Sequence, residues 1–178
     1  MIDDLTVLVA DWLASGVDAN GFAASVNALL PNIERRAGDP APQLLAGVYD
    51  DVRTDEIVLG QEPPEIPALV VLAMSDAALL PLGAATDDFS STNLLLAVEY
   101  VMLDAAGMSG KRDAGYALKA VRRSLGLLNA ATQSVRTSNV SLLVKITQMT
   151  ERRIGATRGR CALAGVVLAR CHMEDLAP

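Results

Sequence analysis

Ile66-Pro67-Ala68-Leu69-Val70-Val71-Leu72-Ala73-Met74 is apolar on both alternations. A strand of this kind is covered on both faces. Pro67 confines its beginning to an edge or a strand end. The next apolar run, Leu94-Leu95-Leu96-Ala97-Val98-Glu99-Tyr100-Val101-Met102, puts Leu94, Leu96, Val98, Tyr100 and Met102 on one face and Glu99 on the other. Residues 75–93 between them are rich in Ser, Asp, Gly and Thr and read as a loop. Asp87-Asp88 in that loop reads as a solvated turn, because spacing places no further metal ligand beside it.

Downstream, residues 103–111 read as a turn and residues 112–129 as the clearest helix. Ala114, Ala117, Leu118, Val121, Leu125 and Leu128 make its apolar stripe, and Lys119, Arg122 and Arg123 its basic face. A third strand is expected over 139–149, where Val140, Leu142, Val144 and Ile146 alternate with Ser141, Leu143, Lys145 and Thr147. A fourth is expected over 158–171, with residues 150–157 as the link and the pair forming an antiparallel hairpin. Arg152, Arg153, Arg158 and Arg160 crowd the linked end. Four arginines so close repel one another unless something acidic meets them.

Upstream, Ile2, Leu5, Val9, Trp12 and Leu13 recur at helical spacing, so residues 2–14 read as a helix that Ser15-Gly16 ends. A second helix is expected over about 20–29, stopped by Pro31. Residues 31–65 are punctuated by Pro31, Gly38, Pro40, Pro42, Gly47, Gly60, Pro63 and Pro64. They read as an irregular projecting arm that docks on a neighbour, with Val48-Tyr49 and Ile57-Val58-Leu59 as short strand or hairpin candidates.

The expected fold is α+β: an antiparallel four-stranded sheet packed against helices, with an extra N-terminal helical region and the arm. One domain is expected over residues 1–178. It divides into a helical region 1–30, an arm 31–65 and a sheet-and-helix core 66–171. A chain of 178 residues buries roughly 70% of its unfolded surface, enough for one core. With 51% hydrophobic and 20% charged residues it is globular in composition. Aromatics are only 3%, which argues against a single-strand binder built on stacking platforms.

Cys161 and Cys171 fall in one expected strand, about 33 Å apart at 3.3 Å per residue, too far for a disulfide. They read as small semi-buried hydrophobes in a reducing compartment. The acidic start, Met1-Ile2-Asp3-Asp4, is unlike a signal peptide, so a cytosolic protein is expected. No run of 18 uncharged apolar residues is present, and no membrane partner is expected.

The formal net charge of −6 is unevenly spread. Residues 1–110 hold three basic and 17 acidic residues, a net −14; residues 111–178 hold 12 basic and four acidic, a net +8. Three arrangements satisfy this pattern. The acidic half folds onto the basic half within one chain. Alternatively, the basic surface of one subunit meets the acidic surface of the next, head to tail, which closes into a ring. In the third, the basic half binds nucleic acid through phosphates.

Catalytic patterns are absent. There is no Gly-x-Ser-x-Gly, His-Glu-x-x-His or Cys-x-x-Cys, and the lone His172 lies six residues from the end. Gly107-x-x-Gly110-Lys111 lacks the phosphate-loop spacing and is followed by Arg112. Among 21 acidic residues no pattern singles out an acid/base pair. No enzyme, cofactor or metal is expected.

The order helix, irregular arm, strand, loop, strand, helix, strand, strand resembles the tail terminator proteins of long-tailed bacteriophages, also called tail-to-head joining or tail completion proteins. The features that carry it are the helix at 2–13; the proline-led strand Pro63-Pro64-Glu65-Ile66-Pro67-Ala68-Leu69-Val70-Val71; the strand at 94–102; the helix with Ala117, Val121-Arg122-Arg123 and Leu125; and the hairpin from Glu151-Arg152-Arg153 to Gly159-Arg160. The resemblance implies a non-catalytic virion protein, assembled in the host cytoplasm. It implies a homo-hexameric ring on the tail tube that ends tube polymerisation and docks on the head connector or a head-closure protein. Double-stranded DNA would pass through the ring without sequence recognition. Arg122, Arg123, Arg152, Arg153, Arg158 and Arg160 are then the candidate contacts to acids of an adjacent subunit or ring. Another neck protein (head-closure or adaptor component) fits the same pattern. From other classes, a nucleic-acid-binding module using the basic C-terminal half and a small cytosolic enzyme remain alternatives.

Overall fold

The structure is a computed structural model that describes residues 2–15, 21–29, 45–53, 63–75, 91–103, 107–131, 135–136, 141–158 and 161–175. In chain order the elements are α1 (Ile2–Ala14), α2 (Phe22–Leu29), β1 (Gly47–Asp50), β2 (Ala68–Ser75), β3 (Ser91–Leu103), α3 (Gly107–Ala131), β4 (Val135–Arg136), β5 (Ser141–Arg158) and β6 (Cys161–Asp175). They form one sheet of order β1-β2-β3-β6-β5-β4.

The α+β class agrees with the sequence reading, but the sheet is not a four-stranded antiparallel one. The four expected strands are β2, β3, β5 and β6, and they pair antiparallel as β2-β3-β6-β5. β1 then adds to the β2 edge in parallel, Gly47 opposite Ala68 through Asp50 opposite Val71. The two-residue β4 adds at the start of β5. Part of the expected arm is therefore sheet edge. The Ala46 amide donates to the Pro67 carbonyl at 2.7 Å, and Arg53 ties the far end of β1 to α1. Ile57-Val58-Leu59 and the rest of the arm lie outside the described residues, as does Asp87-Asp88.

Boundaries also move, two of them by five residues or more. Residues 150–157, expected as a link, are strand, and the register sets Arg158 opposite Cys161. The extra residues are absorbed in the ladder: Arg153 pairs with Gly165 and Ala156 with Leu163, so Ile154 and Gly155 together oppose Ala164. Gly155 takes φ +76°, a conformation that costs glycine little. The β3–β6 register slips at the same level, between Tyr100 and Val101. The second is the expected turn at 103–111: Leu103 ends β3, and residues 107–111 already belong to α3. There the packing of a 25-residue helix on the sheet outweighs the local glycine penalty of about 1 kcal/mol each.

All three helices contribute to one core on one face of the sheet. Leu5, Val9 and Leu13 of α1 and Phe22 of α2 join Ala117, Leu118, Val121, Leu125 and Leu128 of α3, all buried against Leu69, Val71, Leu96, Val98, Val167 and Ala169. Each fully buried leucine contributes about 1.5–3 kcal/mol relative to exposure. Trp12 Nε1 donates to the Ser124 carbonyl at 3.0 Å and so fixes α1 to α3. On the opposite face Val70, Leu72, Ala97, Val101, Leu163 and Val166 form a second buried cluster. The double alternation of the 66–74 run is thus accounted for: odd and even residues of β2 enter different cores.

Close approach of α3 to the sheet depends on Gly165. A Cβ there would sit 2.6 Å from Leu118 Cδ1 and 2.7 Å from the Arg152 carbonyl oxygen. Only a residue without a side chain lets Leu118 lie flat on β6 at this point.

Candidate interaction surface

Among the described residues, the sheet order sets acidic Asp50 and Asp51 at the β1 end and Lys145, Arg152, Arg153 and Arg170 on the β5–β6 side. β1, β2 and β3 come from the acidic half of the chain; β6, β5 and β4 come from the basic half. Five strand spacings of about 4.8 Å separate β1 from β4, roughly 24 Å. Exposed charges that far apart are screened from one another at a Debye length of about 8 Å.

At the acidic edge, Asp50 ends β1 and is 1% exposed. Its Oδ1 accepts from the Val52 amide (3.1 Å) and the Arg53 amide (2.8 Å), and its Oδ2 accepts from Arg53 Nε at 2.6 Å. Arg53 Nη1 reaches Asp11 Oδ1 on α1 at 2.7 Å. The two carboxylates raise the Arg53 pKa, hydrogen bonding to Asp11 first and Asp50 second. One arginine thus stands among Asp11, Asp50 and Asp51, and the exposed Glu65 lies close to Tyr49 of β1. Burial, with help from the Glu65 carboxylate, pushes the Tyr49 phenol above its ordinary range. The neighbourhood of β1 stays net negative.

At the basic edge, Arg122 and Arg123 are exposed on α3, and Arg152 and Arg153 are exposed on β5. Strand alternation sends the last two to opposite faces of the sheet. Arg153 lies on the helix side, where a Cβ on Gly115 of α3 would meet its Nη2 at 2.6 Å. Arg153 therefore joins Lys119, Arg122 and Arg123 on the helical layer, while Arg152 stands on the other face beside Val166. Lys119 Nζ sits 5.8 Å from the Tyr116 ring centroid, within cation–π range. Arg158 belongs to β5 but its side chain, like Arg160 altogether, is outside the described residues. The single cluster of four arginines expected at the hairpin end thus separates, in its described part, into two faces.

Among the described residues, Arg122, Arg123, Arg152 and Arg153 form no ion pair, whereas Arg53 pairs with Asp11 and Asp50. Lys145 and Arg170 are further exposed cations on β5 and β6. No three His, Cys, Asp or Glu side chains among the described residues gather as metal ligands would. Cys171 is buried, and burial pushes its thiol up to about 12, so it stays a neutral thiol. No helix among the described residues is long and apolar enough to cross a membrane.

Two contacts at these edges have no local signal in the sequence. The Arg53–Asp11 bridge spans 42 residues of chain. Asn129, near the end of α3, accepts from the Ile146 amide at 2.8 Å and donates to the Ile146 carbonyl at 3.4 Å. Its amide side chain serves as one rung of a missing strand. Comparison with known proteins returns no match: no family model, no curated protein and no solved structure is similar to this chain.

Proposed function

We propose that the chain is a structural subunit that assembles head to tail, its basic edge against the acidic edge of the next copy, into a closed ring. We propose further that the ring is the terminator of a bacteriophage tail tube, the role its resemblance implies. The observation that supports this reading is that, among the described residues, the charges around β1 are net acidic and those on α3, β5 and β6 net basic. Opposite charges at opposite edges of one subunit are complementary between copies, and a heterologous contact repeated by rotation closes a ring. In this role the tail tube protein and the head connector or head-closure protein are its partners, the virion neck is its location, and DNA passes through the hole. The chemistry needed is recognition alone.

The test is the mass of the purified chain by light scattering, with negative-stain images of the same peak. Rings of six 18.7 kDa subunits, about 112 kDa, that dissociate as salt is raised are the expected result. Co-assembly with a tail tube tests the terminator role itself, and capped tubes of fixed length are expected. A monomer that leaves tubes uncapped and binds short duplex DNA with steep salt dependence would replace this reading by the nucleic-acid module.

A further inference from the structure

Among the described residues, the outer side of β5 is an open sheet edge over most of its length. β6 pairs with β5 along nearly its whole length, but on the other side β4 takes only Ser141 and Leu142. The Asn129 side chain then occupies Ile146. From Thr147 to Arg158 no described strand pairs with that outer side. Unpaired strand edges of this length are templates for strand addition unless charge or a bulge blocks them. Register shifts at Thr147 and at Ile154 and Gly155 interrupt the edge, which leaves residues 148–153 as its regular stretch. Ile154, 46% exposed, closes that stretch.

Charge selects what can add there. Lys145, Arg152 and Arg153 outweigh Glu151, so a second β5 edge would set like charges against each other. The other end of the sheet is complementary. β1 has an outer side with which no described strand pairs; the exposed Asp51 follows it directly in sequence, and the exposed Glu65 lies close to Tyr49 of β1. We propose that β1 of one copy adds to residues 148–153 of β5 in the next, so that the sheet runs continuously across the subunit boundary. This rests on the head-to-tail reading above and specifies how that contact is made: main-chain ladder first, with Arg152 and Arg153 meeting the acids beside β1. A four-residue strand gives few hydrogen bonds per contact, so a closed ring, with two contacts per subunit, is what makes the addition stable.

Amide hydrogen exchange on the unmodified chain, below and above its assembly concentration by light scattering, tests this. On assembly, amides of 148–153 and 47–50 are expected to slow by about tenfold or more. Arg152→Glu and Glu65→Lys, both at exposed side chains, are each expected to stay monomeric alone and to assemble when mixed, because every mixed contact joins two native edges or a swapped pair. Assembly without slower exchange at 148–153 overturns strand addition and leaves the head-to-tail ring standing. A chain that stays monomeric at every concentration and forms no ring on a tail tube overturns both.

Discussion

Gly165→Ala tests the packing of α3 on the sheet. The added carbon would lie 2.6 Å and 3.3 Å from the two Leu118 methyls and 2.7 Å from the Arg152 carbonyl oxygen. Carbon pairs settle at 3.5–4.0 Å, so the layers must part by roughly 1 Å or Leu118 must leave its rotamer. Leu118 can yield, but the Arg152 carbonyl is backbone in the β5–β6 ladder beside the Arg153–Gly165 pair. Overpacking of this type costs about 1–3 kcal/mol, and the immobile carbonyl places this case at the upper end. With a urea slope of about 2 kcal/mol/M, the midpoint falls by roughly 1.5 M. The same chemical change at two other glycines supplies the controls. A Cβ at Gly126, inside α3, meets no described atom within 4 Å, so Gly126→Ala is expected to gain about 0.5–1 kcal/mol from helix propensity alone. At Gly115 the obstacle is the end of the flexible Arg153 side chain, so that substitution is expected within about 0.5 kcal/mol of the parent. Urea unfolding of the three variants should rank them Gly126→Ala, Gly115→Ala, Gly165→Ala from most to least stable. A Gly165→Ala protein as stable as the parent would refute the close approach of α3 to β6.

Cys171 makes stability depend on alkaline pH. Its folded pKa of about 12 lies above its unfolded value near 9, so the neutral thiol of the native state is favoured. The contribution is fully present below pH 9 and is lost as pH rises toward 12, by up to about 1.4 kcal/mol per unit. Urea midpoints at pH 8 and 10.5 should show a drop that Cys171→Ala diminishes, and in a Cys161→Ser background the native thiol should resist alkylation at pH 8 until unfolding. Asp50→Ala removes the acceptor of two backbone amides and of Arg53 at a site 1% exposed, and about 2–3 kcal/mol should be lost. Asp50→Asn, which keeps one acceptor oxygen, should cost less in thermal unfolding, and equal losses would mean that the amide bonds contribute nothing.

Much of the fold is legible in periodicity. The α1 span, the apolar stripe of α3 and the two-sided burial of β2 all follow from where apolar residues fall along 3.6- and 2-residue repeats. The charge split is likewise a property of the chain itself. What periodicity does not carry is pairing. Val48 and Tyr49 mark a strand candidate, yet only contact with β2, some twenty residues on, makes β1 a parallel edge. Glu151, Arg152 and Arg153 look like a charged turn because strands are recognised by apolar alternation, and an exposed edge strand needs none. Their strand state is set by the ladder to β6. Asn129 and Arg53 act on backbone and carboxylates 17 and 42 residues away, a distance at which no local pattern operates. Local residue order therefore determines which segments are helical, which are apolar and how charge is divided. Tertiary structure decides which strands are neighbours, and so places β1, from the acidic half, and β5 and β4, from the basic half, toward opposite edges of the sheet. The reason is that side-chain periodicity is local, whereas hydrogen-bond pairing between strands is chosen by the whole packed core.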